Sequence, residues 1–80
     1  MEENLRKVEE RLNELRWNIN YLALQRDYMA CTAESRVLEG MIEILELLGC
    51  AVNESDIKTK RVGDTEYKTR EYTVSLPKRS

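Results

Sequence analysis

The sequence predicts an α+β fold within a single domain, residues 1–80, in which one long helix, residues 3–48, is followed by a β-hairpin, residues 50–76. Residues 2–48 contain no proline and a single glycine among many good helix formers. The apolar residues of this segment recur every three or four positions, as on one face of a helix. After Gly49 the composition changes to Val, Thr, Tyr and Ile among charged residues, which favours strands.

The predicted helix has a clear end but no clear interior break. Gly49 suits the left-handed position that follows many helix C-termini. Short polar side chains at Asn18–Asn20 and at Thr32–Ser35 could compete for backbone hydrogen bonds and bend the helix. Neither stretch contains the glycine or proline that usually marks a turn between helices. One long helix is therefore preferred, and a helical hairpin followed by the β-hairpin is the alternative.

The C-terminal segment is typical of two strands around a tight turn. Gly63-Asp64 separates two strand-like runs, and glycine can take the positive φ that the first turn position needs. Pro77 cannot donate to a strand ladder, so it should end the second strand. Residues 77–80 are expected to form a frayed tail.

A two-residue turn would fix which residues of the two strands face each other. It places Arg61 opposite Glu66, which is a favourable charge pair. The same register places Asp56 opposite Glu71, which is unfavourable. The sequence alone therefore leaves the strand register open.

One apolar stripe, the first stripe, runs along the whole predicted helix with the alternating spacing of a coiled coil. A helix of residues 3–48 would be about 70 Å long at 1.5 Å per residue, so an 80-residue chain cannot cover the stripe by itself. We expect the chain to be a homodimer or a tetramer. The predicted oligomer seam consists of Leu5, Val8, Leu12, Leu15, Ile19, Leu22 and Met29.

Charges beside the first stripe favour an antiparallel pairing. In a parallel dimer Arg11 would face Arg16 of the second copy, whereas an antiparallel dimer can bring Glu9 near Arg16. Arg26 falls at a seam position, where it could set the register or interrupt the seam.

A second apolar stripe lies on nearly the opposite side of the predicted helix. A helix with apolar residues on both sides must be covered on both sides, by another copy or by a partner. The preferred interpretation is a subunit core, and the alternative is an exposed docking face for another protein. This second stripe begins with Trp17, Tyr21, Leu24 and Tyr28.

The composition offers little for catalysis or metal binding. The chain has no histidine, and Cys31 and Cys50 match no zinc-binding spacing. Free buried thiols are preferred for both, and a single Cys31–Cys50 disulfide is the alternative. No glycine-rich phosphate loop or nucleophile-elbow motif is present. The sequence therefore predicts a protein without enzymatic activity, metal or cofactor.

The second part of the chain is mildly basic, although the net charge is −2. Its basic side chains could contact nucleic acid or an acidic partner. Acidic residues between them reduce the positive electrostatic potential of the hairpin, so nucleic-acid binding is the weaker interpretation. The residues concerned are Lys58, Lys60, Arg61, Lys68 and Arg70.

The preferred function is a homo-oligomeric, non-catalytic interaction protein that binds and modulates, or inhibits, another macromolecule. One alternative is a nucleic-acid-binding dimer that uses the basic hairpin. Another is an oligomer that sequesters a small anionic ligand near Trp17, Tyr21, Tyr28 and Arg26. The charged N-terminus and the lack of a membrane-length apolar run predict a cytoplasmic protein that does not bind membranes. Its small size is consistent with an accessory protein of bacteria or their phages.

Overall fold

The computed structural model describes residues 2–76, with side chains from residue 3 onward. The predicted α+β class and the C-terminal β-hairpin are confirmed, but the single long helix of residues 3–48 is wrong. The alternative, a helical hairpin followed by a β-hairpin, is confirmed. The predicted tail, residues 77–80, lies outside the described residues. The elements are α1 (Glu2–Leu24), α2 (Tyr28–Leu47), β1 (Ala51–Val62) and β2 (Thr65–Ser75).

The helix breaks because the chain enters a left-handed turn at Arg26, where φ is 60°. The N–H of Arg26 donates to the C=O of Ala23 at 3.1 Å, and the N–H of Asp27 donates to the C=O of Leu22 at 3.0 Å. These two bonds form a Schellman motif, which usually has glycine at the left-handed position. Asp27 then caps α2, since its side chain accepts a hydrogen bond from the N–H of Ala30 at 3.2 Å.

The helix breaks at neither of the two candidate bends. Asn18–Asn20 lies inside α1, and Thr32–Ser35 lies inside α2. The Ser35 hydroxyl donates to the C=O of Cys31, one turn earlier, at 2.8 Å. This side chain is therefore satisfied without opening the helix.

The end of α2 is confirmed at the predicted glycine. Gly49 has a φ of 87°, and its N–H donates to the C=O of Glu46 at 2.9 Å. The N–H of Cys50 donates to the C=O of Leu45, also at 2.9 Å. Both helices therefore end in the same Schellman motif, one with arginine and one with glycine at the left-handed position.

The predicted turn of the β-hairpin is confirmed. Gly63-Asp64 forms a two-residue turn, and Gly63 has a φ of 61°. Arg61 lies opposite Glu66, as the sequence predicts.

A β-bulge interrupts the strand register further along the hairpin, at the position of the expected conflict. The register shifts between Glu54 and Ile57, so that Ser55 and Asp56 together lie opposite Glu71. The Ser55 hydroxyl accepts a hydrogen bond from the N–H of Glu71 at 3.0 Å. The register set by the two-residue turn therefore holds from Ile57 to the turn, and the bulge adds one residue at the point where the sequence indicated a conflict.

The core lies between the two helices and the base of the hairpin. Leu12 is fully buried at its centre. The buried side chains are Leu12, Leu15, Leu38, Leu45, Tyr72 and Val74. The partly buried apolar side chains that pack against them are Leu5, Val8, Ile19, Met41, Ile42, Cys50 and Val52.

α1 lies along the free edge of β2 and provides that edge with hydrogen-bond partners. Asn13 accepts from the N–H of Tyr72 at 2.6 Å and donates to the C=O of Tyr72 at 3.1 Å. Asn20 donates to the C=O of Lys68 at 3.1 Å, and Glu9 accepts from a further N–H of β2 at 3.0 Å. Glu9, Asn13 and Asn20 share one face of α1, the edge-capping face. This arrangement covers one edge of the two-stranded sheet and fixes α1 beside the hairpin.

Within residues 2–76, neither helix has an apolar run long enough to cross a membrane. The cytoplasmic location stays a prediction.

Candidate functional site

An open groove, the aromatic groove, lies between α1 and one face of the hairpin. Its volume is about 630 Å³, which is within the range of ligand-binding sites. Trp17 and Tyr21 form the α1 wall, and Lys60, Val62 and Tyr67 form the hairpin wall. The polar residues that complete the lining are Glu10, Asn13, Glu14, Asn18 and Glu71.

The two walls of the groove hold Trp17 in place but leave Tyr21 half-exposed. The indole N–H of Trp17 donates to Glu71 Oε2 at 2.9 Å, and the Nζ of Lys60 lies 4.4 Å from the indole ring centroid. This distance is typical of a cation–π contact. The rings of Tyr21 and Tyr67 are tilted, with centroids 6.2 Å apart. Tyr21 remains 48% exposed, so much of its ring is available to a partner.

Glu71 links the two walls of the groove through its hydrogen bond from Trp17. Besides the hydrogen bond from Trp17, its Oε1 lies 3.0 Å from the Nζ of Lys58. The Trp17 hydrogen bond, followed by the Lys58 contact, lowers the pKa of Glu71 below its ordinary value of 4.5. Burial acts in the opposite direction but is outweighed. Glu71 therefore remains a carboxylate at neutral pH and holds both residues.

Acidification is expected to destabilise the fold in part through Glu71. Because the folded-state pKa lies below the unfolded value of about 4.5, the contribution of this carboxylate is present above pH 4.5. It is lost as the pH falls through the lowered folded-state pKa. Glu71→Gln should therefore flatten the dependence of the unfolding free energy on pH in this acidic range. Urea unfolding at a series of pH values, followed by Trp17 fluorescence, measures the effect.

Glu66→Gln is the matched control for this measurement. Glu66 is an exposed glutamate on the same strand that contacts neither Trp17 nor Lys58, so Glu66→Gln removes a carboxylate without changing the groove contacts. Equal slopes for the wild type and Glu71→Gln would contradict the role assigned to Glu71.

The break between the helices divides the second stripe into two parts. Trp17 and Tyr21 line the aromatic groove. Leu24 and Tyr28 flank the turn between α1 and α2, and both are exposed. Only Trp17 and Tyr21 of these four residues therefore belong to the groove.

Sequence reasoning did not identify the hairpin wall of the groove. Tyr67 lies directly opposite Lys60, so both side chains project from the same face of the hairpin. The predicted turn implies this pairing. The sequence gives no signal that this face would meet Trp17, because the contact depends on how α1 lies against β2.

Most of the predicted oligomer seam lies within the core of its own chain. Leu22 is half-buried, and Met29 is 88% exposed. The residues that are buried in the core or packed against it are Leu5, Val8, Leu12, Leu15 and Ile19. Of the predicted seam, Met29 is the residue that is largely free to meet another copy.

The basic residues of the hairpin do not form a single patch. The register places Lys58 and Lys60 on the groove face and Arg61, Lys68 and Arg70 on the opposite face. Lys58 is bonded to the carboxylate of the groove, and Lys60 lies over the indole. The predicted nucleic-acid contacts are thus split between two faces.

Comparisons with protein-family models, curated proteins and solved structures found no match.

The chemistry of the groove favours a basic group over an anion. The lining contains three glutamates and one lysine. Arg26 and Tyr28, which the anionic-ligand alternative requires beside Trp17, do not line the groove. Within residues 2–76 no group of three or more His, Cys, Asp or Glu side chains is placed to hold a metal ion. Cys31 and Cys50 are free and half-buried.

Proposed function

We propose that the chain is a non-catalytic, homo-oligomeric interaction protein that binds and modulates another protein. A segment of that target would occupy the aromatic groove. The observation that supports this proposal is the presence of Trp17, Tyr21 and Tyr67 in one open groove. Aromatic side chains dominate the energetics of protein interfaces, because they bury a large area with few rotatable bonds.

The groove suits a target segment that carries a basic side chain beside an apolar one. Lys60 provides an internal example, since its ammonium group lies over the indole ring in the groove. A target arginine or lysine could lie in the same way over Tyr21. Glu10 and Glu14 line the groove and would balance the added positive charge.

Removal of the Tyr21 side chain is expected to weaken target binding by about thirtyfold or more. A thirtyfold loss corresponds to about 2 kcal/mol, the usual threshold of an interface hot spot. The immobilised wild-type chain is used to capture the target from a lysate of its native host, and mass spectrometry identifies it. Titration of the purified target is then followed by the fluorescence of Trp17, the only tryptophan in the chain.

Tyr28→Ala is the matched control because it removes an exposed tyrosine outside the groove. This variant should bind the target with wild-type affinity. Equal binding by the wild type and Tyr21→Ala, with no change in Trp17 emission, would exclude the groove as the target site. A mobility shift of random duplex DNA at low salt, lost in Arg61→Ala/Lys68→Ala, would instead favour the nucleic-acid alternative.

A further inference from the structure

α2 has an apolar face that is exposed to solvent in the described part of the chain. Its large side chains range from 51% exposed at Val37 to 88% exposed at Met29. Contiguous exposed apolar surface of this kind is rare on a soluble monomer and usually marks an interaction site. This outer α2 face consists of Met29, Ala33, Val37, Gly40, Ile44, Leu47 and Leu48.

We propose that the outer α2 face pairs with the same face of a second copy of the chain, with the two helices antiparallel. The proposal deepens the homo-oligomeric part of the proposed function and rests on it. It is independent of whether the aromatic groove binds a target, because the two surfaces share no residue.

Side-chain size on the outer α2 face is complementary to itself. When the antiparallel pair is centred between Val37 and Gly40, Val37 lies opposite Gly40 of the second copy. In the same register, Ile44 lies opposite Ala33 of the second copy. Apart from its chain neighbours and the adjacent backbone of α2, a Cβ atom at Gly40 would meet no atom of its own chain within 4 Å, so the space beside this glycine is open. Val37 and Ile44 therefore each meet a small residue, and the twofold axis repeats each contact.

Charge at the border of this face selects the antiparallel orientation. Arg36 and Glu43 are seven residues apart, so they occupy equivalent positions on the same border. In the antiparallel pair, Arg36 of each copy faces Glu43 of the other. In a parallel pair, Arg36 would lie opposite Met41 of the second copy and Glu43 opposite Leu48, and neither of these partners carries a charge. Among residues 3–76, neither Arg36 nor Glu43 forms an ion pair within its own chain.

A charge-reversal series measured by analytical ultracentrifugation tests this pairing. Arg36→Glu replaces two attractive pairs across the twofold axis with two repulsive ones. At low salt this should weaken dimerisation about tenfold or more, since exposed pairs contribute up to about 1 kcal/mol each. Glu43→Arg should have the same effect. The combined variant Arg36→Glu/Glu43→Arg should recover the wild-type dissociation constant, because the charges have only exchanged places.

A double variant that dimerises no better than the single variants would overturn the antiparallel pairing. A wild-type chain that is monomeric at every concentration would overturn it as well. Gly40→Leu provides a second test because it fills the space opposite Val37 of the second copy. This variant should be monomeric while its circular dichroism and Trp17 emission remain those of a folded chain, and an unchanged dimer would overturn the proposal.

The outcomes for the two proposals are distinguishable. Rescue in the charge-reversal series without any groove-bound target would support the α2 pairing and refute the proposed function. Target binding by a chain that stays monomeric would refute the α2 pairing.

Discussion

Replacement of Leu12 by alanine is expected to lower the free energy of unfolding by about 3–5 kcal/mol. Leu12 has no exposed surface and lies in the core that joins α1, α2 and β2. The substitution removes buried apolar atoms and leaves a cavity that the rigid surroundings fill only in part. A domain of 80 residues has a total stability of about 4–12 kcal/mol, so this loss is a large fraction of it. Urea unfolding followed by far-ultraviolet circular dichroism measures the change.

Leu24→Ala is the matched control for the core substitution. Leu24 belongs to the same helix but is 54% exposed, so its truncation should cost less than about 1 kcal/mol. Similar losses for the two variants would show that Leu12 is not at the centre of the core.

Asn13→Ala is expected to cost about 2–4 kcal/mol of stability. Asn13 is bonded to both the N–H and the C=O of Tyr72 at the free edge of β2. The alanine variant leaves both backbone groups without their partner, and an unsatisfied buried polar group costs about 1–3 kcal/mol. Thermal and urea unfolding of the variant give the loss directly.

Asn18→Ala tests whether the loss depends on the edge contact. Asn18 is an exposed asparagine of the same helix, five residues further along, and its substitution should change the stability by about 0.5 kcal/mol or less. If Asn13→Ala behaved in the same way, the hydrogen bonds of α1 to the edge of β2 would not contribute to stability.

The two positions at which glycine adopts a positive φ could be predicted from the sequence. The position at which arginine adopts a positive φ could not. Gly49 and Gly63 adopt the expected left-handed conformation. Arg26 adopts the same conformation against its intrinsic preference, because side chains with a Cβ rarely have a positive φ. Asp27, the next residue in the chain, caps the N-terminus of α2. An aspartate within a charged helical segment is too common to indicate a helix break by itself.

Half of the candidate site could be predicted from the sequence. The spacing of Trp17 and Tyr21 identified one wall of the aromatic groove, because apolar periodicity reports which helix residues share a face. The position of the other wall depends on how α1 lies along β2. That position is set by Asn13 and Glu9, which a hydropathy pattern assigns to the solvent. Hydrogen bonds of polar residues to a different element leave no apolar periodicity in the sequence, so this wall could not be predicted.

The contact between α1 and β2 also constrains how the chain folds during its synthesis. Asn13 and Tyr72 are separated by 59 positions in the sequence. At about 5–20 residues per second, the ribosome needs on the order of 3–12 s to add that length of chain. Throughout this interval the edge-capping face of α1 has no strand to bind. Although α1 is made before α2 and the hairpin, it is thus among the last of these elements to reach its native surroundings.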